Sequence, residues 1–193
     1  MMPTTHAHAA PQVGPDSGLI PSAQGRFMMS PADHASNAQV SLRILIPINA
    51  NADSRWGVRY AVQRHRHGDA VEVIFLNVGE PITQWQVLRF RTQQEIAQFQ
   101  AERAQAFIED ASQALLPDDI AFRGIFKQGD VIFSILDTAE ELACDEIAVP
   151  LATGGLPSLF SRGVVKELLR LKRDIPVVSV NSEGVPVNAL TGQ

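Results

Sequence analysis

Residues 145–180 read DEIAVPLATGGLPSLFSRGVVKELLRLKRDIPVVSV, and this stretch decides the fold. It contains an apolar run, a glycine-containing loop, an amphipathic segment and a second apolar run, which is the order of a β-loop-α-β unit. In such a unit the loop leaves the carboxyl end of a strand and enters a helix, where backbone N–H groups and the helix dipole favour an anion. The stretch therefore raises the question of whether its loop binds a phosphate.

Three further strand-like runs precede this unit: LRILIPI at 42–48, AVEVIFLNV at 70–78 and IAFRGIFK at 120–127. The second is largely apolar, as in a strand covered on both faces, whereas the third alternates and indicates a strand at the sheet edge. Helical spacing of apolar residues separates the runs. Five strands and four helical segments predict an α/β fold with a mostly parallel open sheet and helices on both faces, which is Rossmann-like.

The predicted helices carry local start and stop signals. Asp53 or Ser54 is a suitable N-cap for the first helix, and Gly68 a suitable stop. A long amphipathic helix is predicted over residues 84–116, ahead of Pro117. Gly129 and Asp130 then open the helix that precedes the fourth strand.

The chain divides into one domain and two tails. Its 193 residues, of which 45% are hydrophobic, suffice for one well-buried domain. Residues 1–39 are interrupted by prolines and lack periodicity, so they are predicted to be a disordered tail without a signal peptide. We expect the domain to span residues 40–182 and a short C-terminal tail to span residues 183–193.

Charge and cysteine content narrow the function classes. The net charge of −5 gives no electrostatic basis for binding nucleic acid, and no segment has the length of a membrane span. The single cysteine, Cys144, excludes an intrachain disulfide and a multi-cysteine zinc site, and no metal site is expected. It is predicted to be a partly buried apolar residue, and this cysteine usage fits a reducing, cytoplasmic location.

Common catalytic motifs are absent from the sequence. There is no G-x-G-x-x-G after the first strand, no G-x4-G-K-[ST] and no G-x-S-x-G. We therefore expect that the protein is not an enzyme and has no catalytic residues.

Four segments, in order, resemble the universal stress protein family over residues 41–182. They are RILIPIN at 43–49, VIFLNVGEP at 73–81, QGDVIFSILDTAEELACDEIAVP at 128–150 and RDIPVVSV at 173–180. The resemblance implies a five-stranded sheet in the order 3-2-1-4-5, frequent dimers, a role in stress response, and ATP binding by some members only.

The resemblance also locates a degenerate nucleotide-binding motif. ATP-binding members carry G-x2-G-x9-G-[ST] after the fourth strand, and setting Gly163 on the third glycine places Pro150, Thr153 and Val164 on the other positions. Pro150 has no N–H, Thr153 disfavours positive φ, and Val164 has no hydroxyl. At the end of the first strand, where ATP-binding members usually have aspartate, this chain has Asn49.

Two functions follow from the resemblance. The first is a non-catalytic regulatory module without a cofactor, acting through an unknown protein partner and as a homodimer through the last strand, Ile175 to Val180. The alternative is an ATP- or AMP-binding switch, or a slow ATP hydrolase, since Gly154, Gly155 and Arg162 could still contact a phosphate. The candidate nucleotide pocket comprises Pro47, Ile48, Asn49, Val78, Val149, Pro150, Thr153, Gly154, Gly155, Arg162, Gly163 and Val164.

Overall fold

One sheet of six strands forms the centre of the computed structural model, which describes residues 26–27, 41–79, 92–151, 162–171 and 174–187. In chain order the strands are β1 (Arg26–Phe27), β2 (Leu42–Pro47), β3 (Val71–Gly79), β4 (Ala121–Gln128), β5 (Glu146–Pro150) and β6 (Val177–Val180). The spatial order is β1-β4-β3-β2-β5-β6.

The five longer strands are all parallel to one another. Their order, β4-β3-β2-β5-β6, is the predicted order 3-2-1-4-5, so the fold prediction is confirmed. β1 pairs antiparallel with the outer side of β4, through Arg26 with Ile125 and Phe27 with Gly124. The prediction of a structureless tail did not include this short strand, and the rest of residues 1–39 lies outside the described ranges.

Four α-helices connect or flank the described strands: α1 (Trp56–Arg66), α2 (Gln93–Ser112), α3 (Val131–Glu141) and α4 (Arg162–Leu171). Helix α2 begins at a capping box between Thr92 and Glu95, later than the predicted start, and residues 84–91 lie outside the described ranges. Helix α3 starts where predicted, and Asp130 caps it, its carboxylate accepting from the Phe133 N–H at 2.8 Å. The predicted cap of the first helix was wrong, because a 3-10 turn at Ala52–Arg55 leads directly into α1.

The helices bury two apolar layers against the sheet. On one face α1 and α2 pack on alternate residues of β2 and β3, such as Ile44, Ile46 and Phe75. On the other face α3 and α4 pack on the intervening residues, such as Leu45 and Ile74. Coverage on both faces explains the mostly apolar sequence of β3. No described helix is long and apolar enough to cross a membrane.

The chain turns back after β6 and packs on α1. Val187 donates its N–H to the oxygen of Ser179 at 2.7 Å, and Gln63 donates to the oxygen of Glu183 at 2.7 Å. Gly184, with φ of +80°, is buried against the backbone of Tyr60. The C-terminal tail predicted for residues 183–193 was therefore wrong for residues 183–187, and residues 188–193 lie outside the described ranges.

Candidate functional site

The carboxyl ends of β2, β3 and β5 lie at one edge of the sheet, because the three strands are parallel. The chain beyond β2 stays buried there: Ile48 is 2% exposed and Asn49 is 4% exposed. The Ile48 N–H continues the ladder by donating to the oxygen of Leu76 at 2.8 Å. In open α/β sheets, ligands bind outside this edge.

Polar side chains fix the loop that joins β2 to α1. The Asn49 Oδ1 accepts from the N–H of Asn51 at 2.7 Å, and the Ser54 hydroxyl donates to the oxygen of Asn51 at 2.7 Å. Arg55 donates to the main-chain oxygen of Asn49 at 2.6 Å and pairs with Asp110 on α2 at 2.9 Å. The loop is thus tied both to itself and to the neighbouring helix.

The amide nitrogen of Asn49 is left without a partner by this arrangement. Because Oδ1 accepts from Asn51, the orientation of the amide is set and Nδ2 is the remaining polar atom. This Nδ2 is buried and makes no hydrogen bond to any described residue. A buried donor without an acceptor costs about 1–3 kcal/mol.

Asn77 links the ends of two strands at the same edge. It lies on β3, is 7% exposed, and donates from Nδ2 to the main-chain oxygen of Ile48 at 2.7 Å. This bond crosses from β3 to the residue that follows β2. It therefore holds the two strand ends together where the sheet ladder stops.

A cleft of about 220 Å³ opens beside these asparagines, between the ends of β2 and β3 and helix α2. The lining combines amides, one cation and apolar groups, and is made by Asn49, Ala50, Asn77, Val78, Gly79, Gln100, Arg103 and Phe107. Its size is below the ~300–1,000 Å³ typical of sites for drug-sized ligands. The cleft suits a small molecule or one part of a larger one.

Helix α2 contributes the cation of the cleft, Arg103, and its aromatic ring, Phe107. The guanidinium of Arg103 lies over the rings of Phe99 and Phe107, at 5.7 Å and 5.5 Å from their centroids. Gln100, one turn earlier, accepts from the side chain of Gln128 on β4 at 2.7 Å. Residues 100, 103 and 107 recur at helical spacing, so they share one side of α2.

The predicted pocket is only partly assembled by the described residues. Asn49 and Val78 line the cleft, whereas Pro47, Ile48, Val149 and Pro150 are buried at the strand ends and are not among its lining residues. Thr153, Gly154 and Gly155 lie outside the described ranges. Arg162, Gly163 and Val164 begin α4, and their side chains also lie outside the description. The phosphate loop itself thus stays a prediction.

Sequence reasoning missed the lining residues Ala50, Asn77, Gly79, Gln100, Arg103 and Phe107. Two signals were present. Asn77 interrupts the apolar run of β3, and an amide within a buried strand needs a specific partner. The amphipathic pattern of α2 was also visible, although it does not show that Gln100 and Arg103 line the cleft.

Two acidic groups with raised pKa values lie away from the cleft. Burial raises the pKa of Glu146, at the amino end of β5, where Tyr60 and Arg64 lie beside it. Burial likewise raises the pKa of the Cys144 thiol to about 12, which leaves it protonated at neutral pH. Neither group belongs to the cleft.

Solved structures share this fold. A universal stress protein from Lactobacillus plantarum matches with a TM-score of 0.59 and 15% identity, over 75% of this chain and 99% of that one. One from Burkholderia pseudomallei matches at 0.55 and 14%, over 75% and 98%. One from Archaeoglobus fulgidus matches at 0.51 and 14%, over 72% and 93%. No family model and no curated protein matches the sequence.

These matches define the class of fold. The chain has the α/β fold of the universal stress proteins, and its five parallel strands follow the order expected from the sequence resemblance. At these identities the likeness concerns the fold.

Proposed function

We propose that the chain is a universal stress protein-type regulatory module that performs no catalysis. The observation that carries the proposal is that the polar groups at the carboxyl edge of the sheet make structural hydrogen bonds. Asn49, Asn77 and Ser54 hold the ends of β2 and β3 in place. The cleft itself is lined by amides, a guanidinium and apolar groups, which suit binding better than proton transfer at neutral pH.

The sequence of the predicted phosphate loop supports the same proposal. Pro150 ends β5 and has no N–H to donate to a phosphate, and Thr153 and Val164 replace a glycine and a hydroxyl. A loop of this composition has fewer donors than the G-x2-G-x9-G-[ST] form. We therefore infer that the module works without a nucleotide cofactor, through a protein partner and in the cytoplasm, where a single buried thiol is compatible with reducing conditions.

An ATP- or AMP-binding switch, or a slow ATP hydrolase, is the second candidate. One observation favours it: Asn49 and Val78, two residues of the predicted nucleotide pocket, line the same cleft. Release of small molecules from the purified protein, followed by mass spectrometry, separates the candidates. The regulatory proposal expects no adenine nucleotide and no ATP hydrolysis above background; recovery of stoichiometric AMP or ATP contradicts it.

A homodimer through the last strand is part of the proposal. Beyond β6, the antiparallel bridge between Val180 and Pro186 covers the carboxyl half of the outer edge. A second copy therefore pairs along the half that contains Val177, or displaces the segment 181–187. Light scattering at micromolar concentration tests this: a dimer mass is expected, and a monomer mass throughout would remove the proposal.

A further inference from the structure

The cleft beside α2 joins two donors that lack acceptors among the described residues. One is the buried Nδ2 of Asn49. The other is the guanidinium of Arg103, which contacts the faces of Phe99 and Phe107 and forms no ion pair with a described carboxylate. Stacking uses the face of a guanidinium and leaves its N–H groups, which point outward in the plane, available to a ligand.

The charge of the lining favours an anion. Among the described residues, no aspartate or glutamate lines the cleft, and Arg103 is the one ionised side chain in the lining. Asn49 offers a donor, because its oxygen already accepts from the N–H of Asn51. A carboxylate carries one charge and two acceptor oxygens, which matches one guanidinium and one amide better than a doubly charged phosphate does.

The apolar part of the lining indicates what the ligand carries beside its carboxylate. Phe107 and Val78 provide apolar surface, and a volume of about 220 Å³ leaves room for a ring or a short chain beside the carboxylate. We propose that this cleft binds a small organic carboxylate, whose oxygens accept from Asn49 and Arg103 and whose apolar body lies against Phe107. Its use as a signal rests on the proposed regulatory function, whereas the binding itself does not.

Titration with benzoate, followed by ¹⁵N–¹H correlation spectra of the full-length protein, tests the proposal. Saturable shifts are expected at the amides of Ala50, Asn77 and Gly79, which border the cleft. Benzamide has nearly the same shape without the charge, and we expect it to bind about tenfold more weakly. Equal affinity for benzamide and benzoate would overturn the proposal.

Variants separate the two donors from general charge effects. Arg103 is an exposed residue of α2, and Arg103→Gln removes its charge. This variant should bind benzoate about tenfold more weakly. Asn49→Asp keeps the acceptor for Asn51 but turns the donor into a second carboxylate oxygen, so benzoate should be repelled. Lys166→Gln removes an exposed cation on α4 and should leave binding unchanged. A similar loss of benzoate affinity in Lys166→Gln and Arg103→Gln would mean that the binding is non-specific and would overturn the proposal.

Titration with AMP completes the design. If neither benzoate nor AMP binds, the carboxylate proposal fails and the regulatory proposal stands. If AMP binds at the cleft more tightly than benzoate, both fail together. Benzoate binding that AMP does not displace supports both.

Discussion

The side chain of Asn77 donates a 2.7 Å hydrogen bond to the main-chain oxygen of Ile48 and so joins the ends of β3 and β2. Asn77 is 7% exposed, so its loss would leave the Ile48 oxygen buried without this donor. We expect Asn77→Ala to lower the free energy of unfolding by about 1–3 kcal/mol in urea denaturation. Gln98→Ala, at an exposed position of α2, serves as the control and should change it little.

Gly184 and Gly68 both have positive φ but differ in their surroundings. A Cβ on Gly184 would lie 2.6 Å from the backbone nitrogen of Tyr60, whereas one on Gly68 would meet nothing within 4 Å. Gly68→Ala should therefore cost the backbone strain alone, about 1–3 kcal/mol. Gly184→Ala should cost more and speed hydrogen exchange at Val187, whose N–H binds Ser179. Equal losses in the two variants would mean that residues 181–187 do not pack on α1 as described.

The thiol of Cys144 should be inert in the folded protein. It is 5% exposed, and burial raises its pKa to about 12, so both access and ionisation are low at neutral pH. Reaction with a disulfide reagent should be slow under native conditions and complete in guanidinium chloride. Rapid native labelling would contradict the burial of this residue.

Glu146 should make stability depend on pH. Burial raises its pKa above the ordinary 4.5, and Tyr60 and Arg64 offset only part of that shift. A carboxyl with a raised pKa binds its proton more tightly in the folded state, so its stabilising contribution is lost as the pH rises above 4.5 through the folded pKa. Glu146→Gln should remove this loss. Over that pH range the free energy of unfolding of the variant should therefore rise relative to that of the wild type. Glu102→Gln, at an exposed position, should follow the wild-type curve.

The fold could be predicted because its signals are local and repeated. The apolar character of β3 indicated an inner strand, as found. The alternation in β4 indicated the sheet edge, and this was wrong, because the short strand β1 pairs beyond β4. The helix start at Gly129 and Asp130 was predictable, since a cap before an apolar helix needs no distant partner. The C-terminal segment was missed because its stability comes from contacts with α1, more than a hundred residues earlier in the chain.

The candidate site was less predictable for the same reason. Asn49 was identified by its position after the first strand. Its free donor depends on which atom accepts from Asn51, which sequence does not specify. Arg103 and Phe107 enter the site because α2 packs beside the ends of two strands, and helical spacing alone does not reveal which side of a polar helix meets a cleft.

Calorimetric titration with ATP and AMP tests the central claim, that the carboxyl edge of this sheet no longer binds a nucleotide. The positive control is the variant Asn49→Asp, Pro150→Gly, Thr153→Gly, Val164→Ser, which restores the aspartate and the G-x2-G-x9-G-[ST] spacing with Gly163. We predict no saturable heat for the wild type and measurable ATP binding for the variant. Wild-type binding tighter than about 10 μM, or roughly −7 kcal/mol, would contradict the account.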